Sequence, residues 1–173
     1  MEEIVLSVSM PNYNHGSYLL KRIPSLLDAM PHNAELIIVD DGSTDNSVEI
    51  IEQFAVLDKR IIFIRHEKNK GVIAALNQIL AIARGKFISF QSSDDHIFPH
   101  FFSTMLKTAQ DYPNYAIYCS NFGFCQDFIP KDLSTVKFHQ LLSNIDTKKI
   151  ASTHKPEVKT PRKRGFTSIS WAF

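Results

Sequence analysis

Apolar positions in the first two thirds of this chain switch repeatedly between the period of a strand and that of a helix. Leu6, Val8 and Met10 fall on one face of an extended segment, with Val5, Ser7 and Ser9 on the other, which predicts a first strand over Val5 to Met10. Pro11-Asn-Tyr-Asn-His-Gly16 breaks it with turn formers. A helix is predicted from about Ser17 to Met30, with Leu19, Ile23, Leu26, Leu27 and Met30 on one side and a kink at Pro24, whose ring supplies no N–H. Leu36 to Val39 is a continuous apolar run of the kind found in buried parallel strands. Asp45 or Thr44 can cap the next helix, where Val48, Ile51, Phe54 and Ala55 recur at helical spacing. Ile61 to Ile64 reads as a third strand.

Asn69-Lys-Gly71 then turns into the cleanest amphipathic helix, with Val72, Ala75, Leu76, Ile79, Leu80 and Ala83 on one face and Gly85 as its C-terminal cap. Phe87 to Phe90 is the fourth strand. Pro99 can open a further helix carrying Phe102, Met105, Leu106 and Ala109. Tyr115 to Cys119 reads as one more strand. The order β-α-β-α-β-α-β-α-β implies an α/β, mostly parallel sheet flanked by helices, with right-handed crossovers. Beyond Asp127 the pattern decays. Residues 1–125 read as one domain and 126–173 as a partial continuation. Its last stretch, Gly165 to Phe173, is strand-like but has no evident partner in the sequence.

Composition changes little in this picture. The chain has 173 residues, 44% of them apolar and 21% charged, enough for one folded core. A formal net charge of +1 gives no global field for nucleic acid. Positive charge gathers at Lys148, Lys149, Lys155, Lys159, Arg162, Lys163 and Arg164. A solvated, mobile linker is the plain reading of that segment; peripheral contact of 148–164 with acidic lipid headgroups is the other. Cys119 and Cys125 form neither a disulfide framework nor a zinc pattern. No apolar run is long enough to span a bilayer, and the acidic N-terminus is not a secretory signal. The expected location is cytoplasmic, with the inner membrane face as a variant.

The chemistry lies where strands end. Asp40 and Asp41 follow the second strand, and Ser92-Ser-Asp-Asp95 follows the fourth, so both aspartate pairs belong at the carboxyl edge where open α/β sheets bind ligands. Asp94 and Asp95 are hard oxygen donors suited to Mg²⁺ or Mn²⁺ on a diphosphate; otherwise Asp95 caps a turn and Asp94 is a solvated carboxylate. Of Asp40 and Asp41, one could accept a pyrimidine N–H and the other backbone amides; a plain Asp-Gly turn is the alternative. Asn69 and Gly71 precede a helix N-terminus with free N–H groups. His96 and His100 flank Pro99 and make a poor metal pair, although His96 alone could sit near a diphosphate; the other histidines carry no assigned role. No Ser-His-Asp set, phosphate loop or dinucleotide fingerprint is present.

Together these stretches resemble the family 2 glycosyltransferases of the GT-A (Rossmann-like) fold. The matching segments are Val8-Ser-Met-Pro-Asn-Tyr-Asn14, Glu35 to Ser47, Asn69-Lys-Gly71 with Ala75-Leu-Asn77, and Ala83 to Phe90 running into Ser93-Asp-Asp95. They come in the family's order and cover roughly residues 4–120.

The resemblance implies a nucleotide-sugar donor, most often a UDP-sugar, and a saccharide or lipid-linked acceptor in the synthesis of a surface polysaccharide. Pro11 and Tyr13 would line the base pocket and Asp41 would read the uracil. Asn14, Asp40, Asn69, Gly71, Asn77 and Ser93 would complete the donor site, and Asp94, with Asp95, would hold the metal. The first aspartate of the family's Asp-x-Asp motif is Ser92 here. The family's catalytic base belongs to a C-terminal acceptor half; Asp127 and Asp132 lie too early to supply it, so the chain reads as one truncated before that half. A noncatalytic nucleotide-sugar-binding module is the rival reading.

Overall fold

The computed structural model describes residues 3–118 and the short backbone segments 123–124, 137–138 and 167–169. The elements are β1 (Leu6–Asn12), α1 (Gly16–Ala29), β2 (Ala34–Asp40), α2 (Ser47–Leu57), β3 (Ile61–Arg65), α3 (Val72–Ile82), β4 (Phe87–Phe90), α4 (Phe101–Asp111), β5 (Ile117–Tyr118), β6 (Gly123–Phe124), β7 (Lys137–Phe138) and β8 (Thr167–Ile169). The chain divides into two units, Met1–Cys119 with Phe166–Phe173 and, separately, Ser120–Gly165. In the second, β6 pairs antiparallel with β7, Gly123 facing Phe138. Cys119, Cys125, Asp127, Asp132 and the basic segment 148–164 lie outside the described residues.

The first unit is built on a six-stranded sheet in the order β3-β2-β1-β4-β8-β5, with every pairing parallel. Leu6 pairs with Ala34 and Asn12 with Asp40, while Ser9 pairs with Phe90 on the other side. Alternation sorts the side chains. Leu6, Val8, Met10, Leu36 and Ile38 join Leu19, Ile23 and Leu26 of α1, Ile50 and Ile51 of α2, and Phe102, Met105 and Ala109 of α4 in one core. Ile37, Val39 and Ile88 meet Ala75, Ile79 and Ala83 from α3 and the residue that ends it in the other. All of β2 is buried, as its continuous apolar run requires.

Several local expectations change. Helix α1 runs unbroken through Pro24; the carbonyl that loses its donor belongs to Leu20, which is exposed. Gly85 is not a helix cap, since α3 already ends at Ala83. It is buried instead because its backbone lies against β1: a Cβ there would stand 2.4 Å from the Ser7 nitrogen. Val72 is exposed at the first turn of α3 rather than on its buried face. Helix α4 starts at Phe101, with Pro99 in the preceding turn. The strand-like C-terminal stretch has partners after all, because β8 lies between β4 and β5.

Candidate functional site

The chain runs from β1 outward to β2 and β3, then crosses back to β4 on the other side of β1. The carboxyl ends of β1 and β4 therefore flank a topological switch point, the place where such sheets bind ligands. Four connections rise from this edge, after Asn12, Asp40, Arg65 and Phe90.

Asp40 is fully buried and spent on structure. Its Oδ1 accepts the Ser43 N–H (2.9 Å), and Oδ2 accepts the Ser43 hydroxyl (2.6 Å) and the Asn12 amide (2.8 Å). Asp41, equally buried, ties three segments together. Oδ1 lies 2.6 Å from Nδ1 of His66 and accepts the Lys70 N–H at 2.9 Å, while Oδ2 accepts the Gly71 N–H at 2.7 Å. A carboxylate only accepts, so the shared proton sits on Nδ1. Nε2 of the same ring is 2.5 Å from the Gln78 side chain on α3. Burial alone would push the Asp41 carboxyl up; the bonds from His66, Lys70 and Gly71 outweigh it and hold the group below its ordinary value. A carboxylate has about four acceptor positions, and these three bonds leave one of those of Asp41 unfilled.

Asn14 joins the loops after β1 and β2. It sits in the left-handed region at φ 55°, which asparagine tolerates. Its N–H donates to the Ser43 hydroxyl (2.9 Å), and its Oδ1 accepts the Thr44 N–H (2.8 Å). Asp45, at the N′ position before Asn46, accepts the first N–H of two helices, Gly16 of α1 and Ser47 of α2, both at 2.9 Å. Pro11 is half-buried and Tyr13 exposed at the rim of this loop cluster. Asn69 is exposed and its Oδ1 accepts the Gly71 N–H at 3.0 Å.

Across β1, Ser93 is buried with its hydroxyl 2.6 Å from Nδ1 of His15. The Ser92 hydroxyl donates to Oδ1 of Asp94. Asp94 is exposed and Asp95 half-buried. Burial and then the neighbouring Asp94 charge raise the Asp95 carboxyl above its ordinary value, against the pull of Arg22 and His96. Partial burial, with the Arg22 charge next in weight, lowers the His96 imidazole. Arg22, from α1, lies wholly buried beneath this turn. Its Nη2 donates to Oε1 of Gln91 (2.7 Å) and its Nε to the Ser92 carbonyl (3.0 Å). Burial brings its guanidinium down to about 10, partly offset by Asp95 and Asp94.

Pro11, Tyr13, Asn14, Asp40, Asp41, Asn69 and Gly71 thus gather around the ends of β1 and β2, and Ser93, Asp94 and Asp95 stand at the neighbouring end of β4. Asn77 stands apart, on the exposed side of α3. Three structural contributors escaped the sequence reading: His66, His15 and Arg22. For Arg22 a signal existed, since it lies three residues after Leu19 and four before Leu26, on the buried stripe of α1. No group of three or more His, Cys, Asp and Glu side chains surrounds a common point among the described residues. Asp94, Asp95 and the Ser92 hydroxyl offer hard oxygens on one turn, the donor type that Mg²⁺ and Mn²⁺ take.

The architecture and the carboxylate-bearing switch point define an α/β protein of the GT-A class. The sequence model of glycosyl transferase family 2 matches residues 7–163, and the chain belongs to that family. Glycosyltransferase GlyG of Streptococcus pneumoniae is 34% identical over 78% of this chain and 48% of its own length. TuaG of Bacillus subtilis, a glycosyltransferase named for teichuronic acid biosynthesis, is 38% identical over 53% of this chain and 36% of its own. Among solved structures, TarS of S. aureus in complex with UDP superposes with a TM-score of 0.64 at 25% identity, covering 76% of this chain and 39% of that one. The chain spans about half, or less, of the length of these relatives.

Proposed function

We propose that residues 1–125 form the donor-binding part of an inverting glycosyltransferase that uses a nucleotide-sugar, with a UDP-sugar favoured. One observation carries this: two carboxylate turns, Asp40–Asp41 and Asp94–Asp95, stand on either side of β1 at the switch point. TarS, whose structures hold UDP and UDP-GlcNAc, supports the choice of nucleotide.

In this reading Asp41 accepts the base N–H with its remaining acceptor position, and Pro11 and Tyr13 flank the base. Asn14 and Asp40 hold the loop that carries Asp41. Asn69 and Gly71 close the site from the α3 side, with Asn77 further along that helix. Asp94 and Asp95 would hold Mn²⁺ or Mg²⁺, which when bound neutralises the departing diphosphate. An acceptor hydroxyl on a saccharide or lipid-linked glycan attacks the anomeric carbon while the bond to the diphosphate oxygen breaks. The hydroxyl proton passes to a carboxylate base of the acceptor site, and the nucleoside diphosphate leaves with the bonding pair. The name of TuaG supports a surface polysaccharide as product.

Calorimetric titration of UDP, first with Mn²⁺ and then with EDTA, tests the donor site. Metal-dependent binding is expected, with Asp94→Asn weakening it strongly and Asp28→Asn leaving it unchanged. Equal affinity of wild type and Asp94→Asn in Mn²⁺ would remove the metal assignment. Binding with neither transfer nor hydrolysis of any donor sugar would make the chain a binding module.

A further inference from the structure

Helix α1 buries Leu19, Ile23 and Leu26 against the sheet, and on the same stripe it buries an arginine. A charge in that position costs free energy unless it is paired. Arg22 has no carboxylate within ion-pair distance among the described residues, and its two hydrogen bonds go to neutral acceptors, the Gln91 side chain and the Ser92 main chain. Its third nitrogen, Nη1, is buried with no partner among the described residues. An apolar residue would fill the stripe without this penalty, so packing alone gives no reason for an arginine. What Arg22 does accomplish is local: it grips two consecutive residues at the point where β4 becomes the Ser92–Asp95 turn.

Gln91 is held from both sides, since its Nε2 also donates to the Ser89 hydroxyl at 2.8 Å. The turn begins from that fixed point, and the Ser92 hydroxyl bonds to Asp94 within it. The family resemblance puts an aspartate where Ser92 stands, so this chain has one carboxylate fewer on the turn and a buried cation beneath it.

We propose that Arg22 is a positioning residue for the donor's diphosphate and its metal: by clamping Gln91 and Ser92 from below, it fixes the turn that presents Asp94 and Asp95. This rests on the donor-site reading above. Arg22 is buried and is not assigned a contact with the ligand. The planar fork of the guanidinium makes both bonds at once, which a lysine ammonium on a flexible stem does not reproduce.

The test is UDP binding to the full chain by calorimetry, with Mn²⁺ and with EDTA, for wild type, Arg22→Lys, Arg22→Gln, Gln91→Leu and Asp94→Asn. Circular dichroism and melting establish that each is folded. Arg22→Lys and Gln91→Leu are expected to weaken binding in Mn²⁺ by about tenfold and to leave the metal-free affinity unchanged. Gln91→Leu keeps the charge at Arg22 and removes one arm of the clamp, so it still decides the matter if Arg22→Gln fails to fold. Wild-type affinity in Mn²⁺ for both folded variants overturns the proposal, as does an equal loss with and without metal, which marks a merely structural role. Metal dependence absent from wild type itself, with Asp94→Asn unchanged, would overturn the donor-metal reading and this inference with it.

Discussion

Asp41 shows how one carboxylate at the proposed site also holds the fold. It bonds to His66 on the segment after β3 and to two amides before α3, so loop closure depends on the same group that the proposed function assigns to the base. Its folded-state value is held low, so the stability it contributes is present above the ordinary aspartate range, about 3.9, and is lost as pH falls through the lower folded value. Asp41→Asn should therefore destabilise the protein at neutral pH and reduce the loss of stability on acidification below about pH 4. Urea titrations at a series of pH values check this; parallel curves for variant and wild type would contradict it. The aspartate pairs and their place at the strand ends were legible in the sequence. The partners were not: His66 lies 25 positions from Asp41 and Ser93 lies 78 from His15, and no local pattern encodes such distances. Arg22 was hidden for another reason, because an arginine on an amphipathic helix is read by default as solvent-facing.

At the scale of elements, alternation and helical period located every strand and helix through β5, and the departures came from tertiary contact. Gly85 has the look of a cap, yet it is required by the approach of its backbone to β1. Asp45 was one of two caps foreseen for α2, with Thr44, but its second bond, to the α1 amide of Gly16, belongs to a segment 29 residues away. The two N-termini share one carboxylate, whose negative charge also suits both helix dipoles. Burial would raise it; the bonds it accepts prevail and keep it below its ordinary value. Asp45→Ala should lower stability by about 1–2 kcal/mol, more than a single lost cap commonly costs. Asp45→Asn should recover part of that. Equilibrium urea unfolding measures both, and an unaltered midpoint for Asp45→Ala would show that the shared cap carries no weight.

On the whole-molecule scale the sheet has a carboxyl edge, where the donor site is proposed, and a structural edge. At the latter, buried Glu35 accepts the Ser7 hydroxyl (2.7 Å), the Arg84 N–H (2.7 Å) and the Arg84 guanidinium (2.8 and 2.6 Å), linking β1, β2 and the entry to β4. Arg84→Ala should cost about 2 kcal/mol of stability, since it leaves a buried carboxylate short of donors, while UDP affinity stays at the wild-type value. A matched loss of affinity would show that the two edges are coupled through the sheet. The placement of β8 between β4 and β5 was not legible, because parallel pairing over so long a chain separation leaves no trace in local periodicity. The family's presence was legible, since its motifs cluster at strand ends where ligand chemistry restricts residue choice. At Gly42 the restriction is steric. Its φ is +75°, and a Cβ there would lie 2.7 Å from the Lys68 carbonyl carbon and 2.8 Å from the Asn69 nitrogen. The loop bearing Asp41 and the loop bearing Asn69 thus meet main chain to main chain, with no room for a side chain between them. A substitution at Gly42 must therefore push one loop away from the other, whereas Tyr13, exposed at the rim, can change without disturbing this seam.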